Sequence, residues 1–144
     1  MDNNYYKTLA LDLGERRIGI AISDLMGIIA NGLETYNRVS LDDDCKHIAD
    51  IVKNNSVKVI VLGLPKNMDG TSGPRVEKTY AFAEELKKYT SAKIEFYDER
   101  LTTVAAEKIL ISADVSRDKR KTVIDKMAAT IILQDYLNFN KRGN

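Results

Sequence analysis

Along the opening of the chain, large apolar residues fall on every second position. Leu9, Leu11 and Leu13 alternate with Ala10, Asp12 and Gly14. After Glu15-Arg16-Arg17 the rhythm resumes, with Ile18, Ile20 and Ile22 alternating with Gly19, Ala21 and Ser23. A period of two is the mark of a β-strand, and a short polar turn between two such runs makes a hairpin. One face of this hairpin is built from large side chains. The other, when the registers match, carries small residues around one carboxylate, Asp12. Gly27 to Tyr36 predicts a third strand at a sheet edge, bent at Asn31-Gly32.

The period then changes. Ser40-Leu41-Asp42-Asp43 is a helix start, a hydroxyl followed three residues later by an acid. Leu41, Cys45, Ile48 and Val52 recur at helical spacing up to a polar stop at Asn54-Asn55. His47 lies in this helix with no acid or second histidine beside it in sequence, and reads as a surface residue. Val57 to Gly63 is nearly continuous in apolar residues, as a strand covered on both faces is. A polar loop follows Gly63-Leu64-Pro65, and Pro74 suits the first turn of a helix whose Val76, Thr79, Ala83 and Leu86 share a face. That helix fades near Tyr89-Thr90. Lys93 to Tyr97 predicts a short strand and Val104 to Ser112 a helix. Asp114 to Lys119 predicts a mobile loop, and about Thr122 to Phe139 a last helix. The fold class expected is α/β. Early hairpins pair antiparallel, and later strands alternate with helices and need parallel crossovers, giving a mixed five-stranded sheet flanked by helices. One domain over residues 1–144 is expected. Ligands of such sheets lie beyond the carboxyl ends of the parallel strands, where Asp12, Gly63 and Asp98-Glu99 fall.

Composition narrows the classes. With 144 residues, 44% hydrophobic and 30% charged, the chain suits one ordinary globular core. No apolar run approaches bilayer length, and Met1 to Lys7 lacks the basic-then-apolar order of a secretory signal. Cys45, the single cysteine, offers neither an internal disulfide nor a zinc site, so a cytoplasmic protein is expected. The net charge of +1 supplies no global positive field. Nucleic-acid binding would need local clusters, and two exist: Arg16-Arg17, and Arg117 with Lys119-Arg120-Lys121.

Three carboxylates are the candidate chemistry. Asp12 inside an apolar strand is costly unless a charged or hydrogen-bonding partner meets it. It is either an edge aspartate facing water or the ligand of a cation. Glu99, at the exit of the last strand, is either a polar strand end paired with Arg100 or a second ligand. Asp125 is either the acid of a helix start at Thr122 or, by its helical spacing with Ala129, Ile132 and Tyr136, a carboxylate turned towards the core side. If the three converge, they make an all-oxygen cluster that selects Mg²⁺ or Mn²⁺ over zinc and repels itself when empty. Two such ions about 4 Å apart would activate a water and steady the leaving oxygen of a phosphodiester. Asp12 would bridge them, with Glu99 and Asp125 completing the shells.

Taken together, four stretches resemble the YqgF (RuvX-like) family, a branch of the RNase H-like superfamily. They are Leu11-Asp12-Leu13-Gly14 with Arg17-Ile18-Gly19; Gly63-Leu64-Pro65 with Asp69-Gly70; Asp98-Glu99-Arg100 with Thr102-Thr103; and Asp125-Lys126-Met127-Ala128-Ala129 with Ile132-Leu133-Gln134. They span nearly the whole chain in the family's order. The resemblance implies the RNase H-like fold, a divalent-metal nuclease, and Asp12, Glu99 and Asp125 as its acidic active-site residues. Members are described as Holliday junction resolvases and as nucleases that mature the 5′ end of the precursor of 16S rRNA. The second role is the one expected here, with branched DNA as the alternative substrate and ribosomal or RNA-processing proteins as possible partners.

Basic residues near those acids would grip phosphates without reading bases: Arg16, Arg17, Lys66, Arg75, Arg100, Lys119, Arg120 and Lys121. Each is otherwise a solvated surface charge. Gly14, Gly63 and Gly70 would let the backbone approach substrate closely; few aromatics stand near the site, so base stacking is expected to be minor, with Tyr97 the one candidate. Two rival classes stand beside the nuclease. A hairpin with Asp12-Leu13-Gly14 also opens the actin-like and sugar-kinase ATPases, which need two lobes where this length suits one. A non-catalytic RNA-binding assembly factor would have no use for clustered acids. The expected assembly is a monomer or weak homodimer, a resolvase requiring two sites.

Overall fold

A computed structural model describes residues 5–66, 69–71, 73–99 and 117–142, with side chains of the last helix from residue 125 onward. The described strands are β1 (Lys7–Leu13), β2 (Arg17–Ser23), β3 (Ala30–Asn37), β4 (Val57–Leu64) and β5 (Lys93–Asp98). The described helices are α1 (Leu41–Asn54), α2 (Pro74–Leu86) and α3 (Arg117–Phe139). The strands form one sheet in the order β3-β2-β1-β4-β5. β1 pairs antiparallel with β2, and β2 with β3, while β4 pairs parallel with both β1 and β5. This is the mixed five-stranded sheet that the alternation of periods predicts, with β3 at an edge. The helix expected over 104–112 and the loop over 114–116 lie outside the described residues.

The two faces of the sheet are packed differently, and the hairpin sequence is the reason. Leu9, Leu11, Ile18, Ile20, Ile60 and Leu62 are fully buried in a core closed by α1 and α2 through Cys45, Ile48, Phe82 and Leu86. Each such side chain contributes roughly 1.5–3 kcal/mol when removed from water. The opposite face presents Ala10, Ala21 and Val61 to α3, whose Ala128, Ala129, Ile132 and Leu133 are buried there. Small residues on both partners bring the helix close to the strands. The approach is tightest at Gly19, where a Cβ would lie 1.9 Å from the carbonyl oxygen of Asp125. An isolated glycine within a strand marks such a close backbone approach.

Several local expectations are corrected. α3 begins at Arg117, not near Thr122, so residues 117–119 are helical and Asp125 lies inside the helix rather than in its first turn. The hydroxyl-acid pair Thr122 and Asp125 is therefore not a helix start. In α1 the cap is as read, Ser40 accepting from the Asp43 amide at 3.1 Å, but Leu41 is exposed and the buried side chain of its first turn is Asp44. That carboxylate is held by Arg38 Nε at 2.8 Å and the Val39 amide at 2.9 Å, which is what a buried charge requires. His47 does have an acid partner, supplied by β3: Nε2 lies 2.7 Å from Glu34 Oε1 and the ring stacks on Tyr36.

Two outcomes test this packing. Gly19→Ala is expected to destabilise the protein by about 2 kcal/mol or more, since the added methyl must push α3 off β2; urea denaturation measures it, and an unchanged midpoint would refute the close approach. Burial pushes the Cys45 thiol up to about 11, so native protein at pH 8 is expected to resist a thiol-specific chromogenic disulfide reagent and to react with one equivalent once unfolded.

Candidate active site

The hydrogen-bond registers place four positions in one row across the sheet. Asp12 is paired with Gly19 on one side. On the other, the register joining Leu11 to Leu62 sets Gly63 beside Asp12, and Gly63 is paired with Tyr97. The row therefore reads Gly19, Asp12, Gly63, Tyr97, all on the face that meets α3. Adjacent strands lie about 4.8 Å apart, so on both neighbouring strands Asp12 meets a position without a side chain, Gly19 and Gly63.

The other two acids lie over these two glycines. A Cβ on Gly63 would lie 3.0 Å from Glu99 Oε2, so the Glu99 carboxylate lies directly over β4. The main chain of Asp125 stands over Gly19. Asp12 between them is 5% exposed. The sheet register and the helix docking thus bring Asp12, Glu99 and Asp125 to one face at the carboxyl end of β1 and β4. Among the described residues, however, no group of three His, Cys, Asp or Glu side chains is arranged to hold a metal ion as it stands. At Asp125, Oδ2 is turned to Arg17 Nε at 2.7 Å. Arg17 leaves β2 on the same face as Gly19 and supplies the counter-charge that clustered carboxylates need. The donor set is otherwise suited to a hard divalent cation, since the three acids offer oxygens only.

The remaining candidates divide. Arg17, expected to grip phosphate, is engaged by Asp125. Arg16 and Arg75 are exposed and Lys66 is half-buried. Gly14 closes the β1–β2 turn, its amide donating to the Arg17 carbonyl at 2.9 Å. Gly70 adopts φ +88°, a backbone that favours glycine, beside a turn in which the Thr71 amide donates to Asp69 Oδ1. Arg100 and the side chains of Lys119, Arg120 and Lys121 lie outside the described residues. Tyr97 is not placed to stack on a base: it is 8% exposed and packs edge-on against Tyr136 of α3. Two basic residues near the turn escaped the reading of the sequence, Arg38 and Lys78. Neither adjoins a motif, and only the fold carries them to Gly14 and Glu15.

The profile of a family described as "RuvX: Holliday junction resolvase" matches residues 6–139. The chain belongs to the RuvX family. A Halalkalibacterium halodurans relative named as a pre-16S rRNA nuclease is 57% identical over 134 residues, covering 92% of this chain and 96% of its own. A Carboxydothermus hydrogenoformans relative of the same name is 52% identical over 137 residues, covering 95% of this chain and 99% of its own. Among solved structures, Thermus thermophilus RuvC in complex with a Holliday junction substrate superposes with a TM-score of 0.61 at 9% identity, over 94% of this chain and 95% of that one. At that identity the likeness is one of fold, and the fold is RNase H-like.

The Arg17–Asp125 pair sits about a quarter exposed at both ends. Solvent screening at such sites limits an ion pair to roughly 1 kcal/mol or less. Arg17→Gln is therefore expected to shift the urea midpoint only slightly in metal-free buffer; a loss of about 3 kcal/mol or more would make Arg17 a structural strut instead of a local counter-charge.

Proposed function

We propose that this RuvX protein is a divalent-metal nuclease that hydrolyses phosphodiester bonds in the maturation of the 5′ end of the 16S rRNA precursor. The reading is carried by one observation: a nearly buried carboxylate, Asp12, flanked by two glycines with Glu99 over one and Asp125 over the other. The names of relatives more than 50% identical support the RNA substrate. Asp12, Glu99 and Asp125 would hold Mg²⁺ or Mn²⁺, and a pair of such ions, when bound, activates water and stabilises the leaving oxygen.

The residues of the chain contribute in distinct ways. Asp12 is fixed by ladders on both sides, so its carboxylate is positioned before substrate arrives. Arg17, two residues from Gly19 on the same face of β2, balances Asp125 and would meet a phosphate once that carboxylate is engaged elsewhere. Arg16, Lys66 and Arg75, with Arg100, Lys119, Arg120 and Lys121 as further candidates, neutralise the strand's phosphates at the end of the sheet where Asp12 lies. Gly14 and Gly70 are partly exposed there, whereas Gly63, expected to open its backbone to substrate, is buried beneath Ile132 and Glu99. A buried, reduced Cys45 suits the reducing cytoplasm, and among the described residues no helix is long and apolar enough to cross a membrane.

The family description favours a second reading, resolution of Holliday junctions. That activity needs two copies matched to a two-fold substrate. Cleavage of a precursor-RNA oligonucleotide beside a four-way DNA junction, with Mg²⁺ or Mn²⁺, separates the two. Asp12→Asn is expected to lower metal-dependent RNA cleavage by a factor of about 100 or more with an unchanged circular dichroism spectrum. A variant that cuts at the wild-type rate would sink the assignment of the site, and faster cutting of the junction would transfer the substrate to DNA.

A further inference from the structure

A second feature lies at the same end of the sheet, on the opposite face from Asp12. Beyond β1, between the β1–β2 turn and the starts of α1 and α2, is an open cleft of about 720 Å³. That volume is within the range of about 300–1,000 Å³ typical of ligand pockets. Its charged lining is Glu15, Arg16, Arg38, Asp44, Arg75 and Lys78, four cations against two anions.

The pairing of those charges decides which are available. Arg38 is committed: Nε holds Asp44 at 2.8 Å and Nη1 donates to the Gly14 carbonyl at 2.9 Å. Lys78 meets Glu15 at 3.6 Å with both side chains largely in solvent, a contact too weak to hold it against a better partner. Arg16 and Arg75 make no ion pair among the described residues. The start of α1 adds no attraction for an anion, because Ser40 caps it and Asp42, Asp43 and Asp44 occupy its first turn. The positive field of the cleft is that of Arg16, Arg75 and Lys78, all exposed.

We infer that this cleft grips the sugar-phosphate backbone of the polynucleotide flanking the cleaved bond; the inference rests on the nuclease reading above and deepens it. Three observations select that ligand. The available groups are cations suited to phosphodiester oxygens. Among the described residues no aromatic side chain lines the cleft, so none of them stacks a base there, and its contacts are those of charge. Gly14 and Arg16 at its mouth follow Asp12 directly, roughly 7 Å along the chain at 3.3–3.4 Å per residue to Gly14, so a strand leaving the carboxylates over the rim of the sheet enters it.

Charge reversal at Arg75 and Lys78 tests this. Arg75 is the second residue of α2, where an acid is favourable to the helix, and Lys78 is solvent-exposed, so the fold is retained; circular dichroism verifies it. Fluorescence anisotropy without divalent metal would compare labelled single-stranded RNAs of about 6 and about 20 nucleotides across a salt series. The full-length protein is expected to bind the longer RNA about tenfold more tightly, and Arg75→Glu with Lys78→Glu to abolish that gain and reduce the slope of log affinity against log salt by about 1.4, the loss of two phosphate contacts on a single strand. If the double variant binds the longer RNA with unchanged affinity and slope, the cleft is no subsite, and the nuclease reading stands without it. If adenosine 5′-monophosphate displaces the longer RNA at micromolar concentration, the cleft takes a free nucleotide and the polynucleotide inference is overturned. If the wild-type protein binds neither RNA, both readings fall.

Discussion

The structure depends on how close a helix can come to a sheet. α3 lies against β2 so tightly that at Gly19 the space of a methyl group is already filled by the Asp125 carbonyl. That approach is possible because one face of the central strands is nearly bare: Ala10, Gly19, Ala21 and Gly63 replace the leucines and isoleucines of the other face. Everything proposed for the active site follows from the same asymmetry. Where side chains are absent, a carboxylate in β1 has neighbours made of main chain, and acids from distant parts of the sequence occupy the space beside it.

Electrostatics then does what packing cannot. Like charges on one face repel, and Arg17 offsets Asp125 from within the same strand that carries Gly19. On the other face, Arg38 and Asp44 do the equivalent for a carboxylate that is 1% exposed. The two arrangements differ in exposure and so in consequence. The Arg38–Asp44 pair is locked by further bonds to Val39 and Gly14 and fixes the junction of β3, α1 and the β1–β2 turn. The Arg17–Asp125 pair is partly in solvent and can exchange partners at small cost.

The sequence was most legible where one period dominated. The alternation through Leu9–Ile22 and the continuous run at Val57–Gly63 yielded the central strands and the exposed edge of β3. The face carrying Asp12 was legible too, because parity alone assigns it. What could not be read was cross-chain. Asp44 is one of three acids in the first turn of α1, and only the fold brings Arg38 to its carboxylate; the partner of His47, Glu34, comes from β3, thirteen residues away. The start of α3 was misplaced because Thr122 and Asp125 imitate a cap, whereas the helix starts at Arg117 in a polar stretch without a hydrophobic stripe to announce it. Tyr97 read as a surface aromatic because nothing local shows that α3 covers β5 there.

The order of the elements has a consequence for synthesis. β1 and β2 are contiguous, and their hairpin can form as soon as both have emerged from the ribosome. The Asp125 main chain that closes over Gly19 comes from more than a hundred residues later, in the last helix. Until that helix docks, the bare strip beside Asp12 faces water and the three carboxylates share no surface. A chain in which α3 has not yet been made therefore carries the hairpin but not the close approach over Gly19 that gathers the three acids on one face.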